Sequence, residues 1–214
     1  MEFFKDSEII DITPVISPNI AVFPGDTKFS RSELLSFNKG HNLVLSSINS
    51  TVHLGAHTDA PSHYHREGKT MESVSLSAYL GNCQVIEVDI DRGSRIYPSD
   101  LMQKINAPRV LLKTNSFPDP NHWNSDFNAC SAELIEHLHK NGVILVGIDT
   151  PSVDPSDDKA LESHNKIYDS KMAILEGIVL TGVETGNYQL IALPLPIMEA
   201  DASPVRAILI KEKK

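Results

Sequence analysis

Four of the nine histidines fall between His53 and His65, and with Asp59 they are the densest set of metal-ligating side chains in the chain. His53, His57, Asp59 and His63 follow one another at intervals of 4, 2 and 4 residues. Four extended residues cover about 13 Å, whereas donor atoms around one zinc ion each lie about 2 Å from it. The backbone between His53 and His57 must therefore coil, and a single helical turn would put both imidazoles on one face. Pro61 disfavours helix at Ala60, which would end the turn and free Asp59 and His63 to swing inward; Gly55 allows a tight entry. Two neutral imidazoles and a carboxylate suit zinc, and also manganese or iron. They leave a position open for water, as in catalytic rather than structural sites. Solvated loop histidines beside a capping aspartate are the ordinary alternative, and so dense a set argues against it.

A second acid/imidazole pair lies far downstream, His164 and then Glu176 within Met172-Ala-Ile-Leu-Glu-Gly-Ile-Val-Leu180. A carboxylate inside a β-prone apolar run either faces solvent from an edge strand or is buried. If buried and unpaired it costs several kcal/mol, so it must then bind a cation or accept strong hydrogen bonds. Spacing alone leaves both readings open.

The elements that position these groups are mostly strands. Glu8–Thr13, Asn42–His53, Gln84–Ile90, Arg109–Thr114, Val143–Ile148, Ile174–Leu180, Tyr188–Leu195 and Val205–Ile210 are β-prone, with Asn42–His53 feeding directly into the histidine cluster. Gln84–Ile90 alternates like a half-buried strand. Pro98 opens a short helix through Lys104, Ser131 caps a helix that Gly142 stops, and Lys159–Asn165 has helical character. The expected fold class is α/β, one domain over residues 1–214 around a mixed sheet or barrel. The βα alternation is too irregular for a doubly wound sheet. Neither GxGxxG nor GxxxxGK[ST] occurs, so nucleotide cofactors have no support.

Composition fixes the setting. The 214 residues include 19 Lys plus Arg against 28 Asp plus Glu, a formal charge of −9, which argues against nucleic-acid or anionic-membrane partners. No apolar run approaches the roughly 18 residues of a membrane span, and the first residues lack a signal-peptide pattern. Cys83 and Cys130 have no partner motif, so a reducing cytoplasm is the expected home. His137 and His139 belong on a helix surface and His65 at the rim of any site. The polar segment 117–128, with His122 and Trp123, is a candidate lid or interface.

His53-Leu-Gly-Ala-His57-Thr-Asp59-Ala-Pro-Ser-His63 resembles the HxGxHxDxPxH signature of the cyclase family of metal-dependent amide hydrolases, and within it the kynurenine formamidase (arylformamidase) branch. Phe23-Pro-Gly-Asp-Thr, Gly147-Ile-Asp-Thr-Pro-Ser-Val-Asp-Pro155, Ala173-Ile-Leu-Glu-Gly and Leu193-Pro-Leu through Ser203-Pro-Val-Arg-Ala fit the family pattern in order, over nearly the whole chain. The resemblance implies a swivelling β/β/α domain, a homodimer or larger, and two zinc ions per subunit, with manganese acceptable. In that scheme His53, His57 and Asp59 ligate one ion and His164 the other, with Asp59 and Glu176 shared. His63 is the catalytic proton donor and acceptor, and Phe23 lies at the substrate. The implied reaction is hydrolysis of an aryl formamide, N-formyl-L-kynurenine to L-kynurenine and formate in tryptophan degradation, by a metal-activated bridging hydroxide. Two positions depart from the pattern: Ala56 stands where the broad family often has Thr, and Phe23 where the formamidases typically have Trp. An isatin-type cyclic amide hydrolase is the alternative enzyme. A non-catalytic metal-binding scaffold would keep the ligands but have no need of His63.

Overall fold

The structure, a computed structural model, describes residues 7–212. Its strands are β1 (Ser7–Asp11), β2 (Ser30–Leu35), β3 (Leu45–Asn49), β4 (His57–Asp59), β5 (Leu80–Glu87), β6 (Arg95–Ile96), β7 (Arg109–Lys113), β8 (Ala129–Cys130), β9 (Leu145–Ile148), β10 (Ala173–Leu175), β11 (Gly186–Ile191), β12 (Ala202–Pro204) and β13 (Ile208–Glu212). Two helices accompany them, α1 (Ala132–Lys140) and α2 (Glu162–Ser170). Seven strands form one mixed sheet in the order β1-β13-β11-β5-β7-β9-β10. The first four pair antiparallel, and β5, β7, β9 and β10 run parallel. The fold is α/β, and the sheet is open, with β1 and β10 at its edges, so the barrel alternative falls.

Period-two side-chain alternation explains the layers. Val110 and Leu112 of β7, Val146 and Ile148 of β9 and Ile86 of β5 turn to one face, where Leu134, Ile135 and Leu138 of α1 and Ile167 of α2 cover them. Val85, Leu111, Leu145 and Leu175 turn to the other face and pack with Ile12, Tyr79, Leu190 and Leu209. Strands covered on both sides read as continuous apolar runs. The half-buried reading of Gln84–Ile90 is thereby corrected: Gln84, Val85, Ile86 and Val88 are all buried, and Glu87 is exposed. α1 begins where expected, with Ser131 Oγ accepting the Leu134 N–H at 3.0 Å.

Other boundaries move for physical reasons. The expected 98–104 helix is only a 3-10 turn over Pro98–Asp100. The second helix lies later than Lys159–Asn165, at Glu162–Ser170. The Asn42–His53 strand shrinks to β3, which pairs with β2 as an exposed two-stranded ribbon and stops short of the histidines. The Ile174–Leu180 strand ends at Leu175, because Glu176 leaves the ladder to exchange backbone hydrogen bonds with His57 (2.9 and 3.0 Å). Gly177 follows with φ +64°, and a Cβ there would sit 2.2 Å from the Gly55 carbonyl oxygen. Only glycine permits that approach.

Candidate functional site

The crevice opens beyond the carboxyl ends of β9 and β10, the place where open α/β sheets gather ligands. Three separate segments converge there. β4 pairs with β12 on one side, and through His57 it bridges Glu176 on the other. His57 and Asp59, two residues apart on a strand, share one face. His53 joins them because the chain bends at Gly55, which has φ +58°. The coil required between His53 and His57 is thus a glycine bend and not the expected helical turn. A 3-10 turn over Pro61–His63 then carries His63, and α2 brings in His164.

Asp59 is the centre of the cluster. His53 Nδ1 lies 3.0 Å and His57 Nε2 3.5 Å from its Oδ1, and His164 Nε2 lies 3.4 Å from its Oδ2. Glu176 Oε2 is 3.2 Å from His57 Nε2, and its Oε1 is 3.8 Å from His164 Nε2. The remaining nitrogen of each imidazole is held from behind. His57 Nδ1 donates to the Gly55 carbonyl at 2.9 Å, His164 Nδ1 meets Asp154 Oδ2 at 2.8 Å, and His53 Nε2 meets Asp201 Oδ2 at 3.1 Å. Such partners fix ring orientation and aim the other nitrogen at the carboxylates. Glu176 is buried, and its Oε1 accepts the Val153 N–H at 2.7 Å, so the solvent-facing reading of this residue is excluded.

The charges respond to one another. Burial opposes a charged imidazole, yet the neighbouring carboxylates outweigh it: Asp59 and Asp201 raise His53 to about 9, and Asp154 and Asp59 raise His164 to about 10. His57 is raised the same way by Glu176 and Asp59. Burial favours the neutral acid of Asp59, but the neighbouring His164 and His53 imidazoles hold it well below the usual carboxylate range.

Asp59 Oδ1 is fully buried and has no hydrogen-bond partner of good geometry despite its close imidazoles. An orphaned buried carboxylate oxygen is costly without a cation. Two donor groups, His53–His57–Asp59 and Asp59–His164–Glu176, each have ligand atoms within 4.8 Å of one another, and they share Asp59. This nitrogen and oxygen set fits a divalent ion such as zinc or manganese.

His53, His57, Asp59, His63, His164, Glu176 and Phe23 all line one cavity of about 480 Å³. His63 is more exposed than the other imidazoles and the carboxylates of this set, with Nδ1 3.2 Å from Asp201 Oδ2. His65 stacks on Tyr168 at 3.7 Å, outside the cavity lining. Cys83 and Cys130 are buried, and burial pushes the Cys83 thiol up to about 12.

Two residues in the site escaped the sequence reading. Asp154, fully buried, receives His164 and Arg95, which itself also reaches Asp158. Its signal lay within the Asp149–Pro155 loop, an aspartate ten residues before His164. Asp201 bridges His53 and His63 from the turn before β12 and carries no local signature.

An open mixed sheet with imidazoles and carboxylates gathered at its carboxyl edge defines an α/β protein with a metal-ligating crevice. The Cyclase family model matches residues 10–155, and the chain belongs to that family. A solved structure described as a potential metal-dependent hydrolase with cyclase activity superposes with a TM-score of 0.83 at 24% identity, over 97% of this chain and 100% of that one. A predicted metal-dependent hydrolase from Bacillus stearothermophilus matches with a TM-score of 0.81 at 23% identity, over 95% and 98%. Isatin hydrolase A from Labrenzia aggregata, bound to benzyl benzoate, matches with a TM-score of 0.80 at 20% identity, over 97% and 94%. At these identities the likeness is one of fold. Among the described residues no helix is long and apolar enough to cross a membrane.

Proposed function

We propose that the protein is a metal-dependent amide hydrolase acting on aryl formamides, with N-formyl-L-kynurenine as the substrate and L-kynurenine and formate as products. The observation that carries this reading is the buried Asp59 carboxylate, whose Oδ1 lies unpartnered between the back-tethered His53 and His57 imidazoles while His164 faces its Oδ2. His53, His57 and Asp59 would hold one ion and Asp59, His164 and Glu176 a second. When bound, zinc or manganese supplies a water whose pKa is lowered toward neutrality and an electrophile for the amide carbonyl.

The chain's own groups do the rest. The Val153 N–H fixes Glu176, and Gly55, Asp154 and Asp201 hold the three rings in place. His63, at the open side of the cluster with its Nδ1 on Asp201, would pass a proton from its other nitrogen to the departing aryl amine. Phe23 lines the same cavity and offers a ring to the substrate. The exposed apolar residues Leu34, Phe37, Leu43, Val44 and Ile48, on and beside the β2–β3 ribbon, favour a homodimer or larger assembly.

Metal analysis of the purified protein, combined with a formate-release assay on N-formyl-L-kynurenine before and after chelation, tests the proposal. Full activity in metal-free protein refutes it. The likeness to isatin hydrolase A supports one alternative within the same chemistry, an isatin-type cyclic amide. Side-by-side kcat/KM values on the two substrates decide between them.

A further inference from the structure

The chain carries one tryptophan. Trp123 lines the same cavity as His63 and Glu176, and it meets Phe23 edge-to-face with ring centroids 5.1 Å apart at 69°. Phe117 and Phe127 flank the indole, each 5.9 Å away and near perpendicular. Aromatic edges and faces at these distances attract, so the indole is held by rings contributed from two segments a hundred residues apart.

The loop that presents Trp123 is tied down. Asn128 Nδ2 donates to the Asp91 carbonyl at 2.7 Å, Asn124 Nδ2 donates to the Ser116 carbonyl at 3.1 Å, and Arg92 pairs with Asp126 at 2.9 Å. The Ala21 N–H donates to the Pro120 carbonyl at 2.9 Å and so joins the loop to the segment that carries Phe23. A segment anchored at this many points is a wall and not a swinging lid. Ile20, Val22, Ile178 and Val179 add further apolar lining, and among the described residues no Lys or Arg lines the cavity. A substrate held on this side of the cavity gains by presenting a flat apolar ring, since the His53, His57 and His164 imidazoles are turned to Asp59 and Glu176.

We infer that Trp123, braced against Phe23, is the specificity-determining residue of this crevice and selects amides bearing a flat aromatic group over alkyl amides. The catalytic part rests on the hydrolase reading above; the binding part does not. Because Trp123 is the sole tryptophan, its fluorescence reports occupancy directly, without turnover. Acetanilide should change the emission saturably, and N-methylacetamide at the same concentration should not. In kinetics, Trp123→Leu should lower the preference for formanilide over N-methylformamide, as a ratio of kcat/KM values, by tenfold or more, and Trp123→Phe should recover most of it. An unchanged ratio in Trp123→Leu, or emission indifferent to acetanilide, overturns the inference. If no amide is hydrolysed but acetanilide binds saturably, the hydrolase reading falls and the aryl site stands. If Trp123→Leu does not fold, Phe23→Leu keeps the reporter: weaker acetanilide binding is expected, and unaltered binding overturns the inference.

Discussion

Replacing Asp154 with asparagine should weaken the protein twice over, in stability and in one half of its metal site. The Asp154 carboxylate is fully buried and accepts Ser163 N–H at 3.1 Å, His164 N–H at 3.0 Å, His164 Nδ1 at 2.8 Å and Arg95 at 2.8 Å. Asparagine keeps the shape but turns an amide NH₂ toward donors and removes the charge opposite Arg95. Breaking a buried ion pair costs about 3–5 kcal/mol. Arg95 keeps its contact with Asp158, and its side chain is 20% exposed, so the cost falls at or just below the bottom of that range, about 2–3 kcal/mol. The loss of the partner that orients His164 should lower zinc affinity by about 10–100-fold, selectively at the Asp59–His164–Glu176 group. Urea unfolding of metal-free protein measures the first quantity, and zinc titration against a competing chelator measures the second. Metal-free stability within about 0.5 kcal/mol of the parent, together with both zinc affinities within twofold, refutes the reasoning. A stability loss with untouched zinc affinity would assign Asp154 to the scaffold alone.

Three further outcomes follow from the same geometry. His63→Ala should cut amide hydrolysis by about 10²–10⁴-fold while leaving zinc stoichiometry unchanged; retained turnover, or lost zinc, contradicts its placement as the proton-transfer group. His53 at about 9 and His164 at about 10 are raised above the unfolded imidazole value near 6.5. Their contribution to metal-free stability is therefore complete below about pH 6.5 and is lost as pH rises through 9 to 10. Urea midpoints of the apoprotein should fall between pH 7 and 10, and zinc affinity should climb over the same range, as fewer protons must be displaced. Gly177→Ala should cost at least about 1–2 kcal/mol from the left-handed backbone alone, and more from the 2.2 Å approach of its Cβ to the Gly55 oxygen; urea denaturation showing no loss would contradict this packing.

The parts of the site that could be read in advance were those written by local chemistry. Four ligating residues within eleven positions announce themselves, and Glu176 stands out because a carboxylate is foreign to an apolar run. The strands of the central sheet were legible because β7 and β9 are apolar on both faces. What failed was whatever depends on distant partners. The coil at His53–His57 was expected as a helical turn because i, i+4 spacing allows one, but pairing of His57 with both Glu176 and Pro204 starts a strand there and leaves the approach to it a bend at Gly55. The strand expected to run on to Leu180 stops at the same bridge. Asp201 is invisible in sequence, since its meaning comes from His53, 148 positions earlier.

The outer antiparallel edge sets Ser7 opposite Glu212, so β1 can dock only after β13 has been synthesised. Contacts of such span make for slow folding, and until β13 arrives the apolar flank of β11 has no neighbour on that side. The growing polypeptide consequently carries an unpaired sheet edge until β13 is made, and an edge of that kind is open to pairing with another chain.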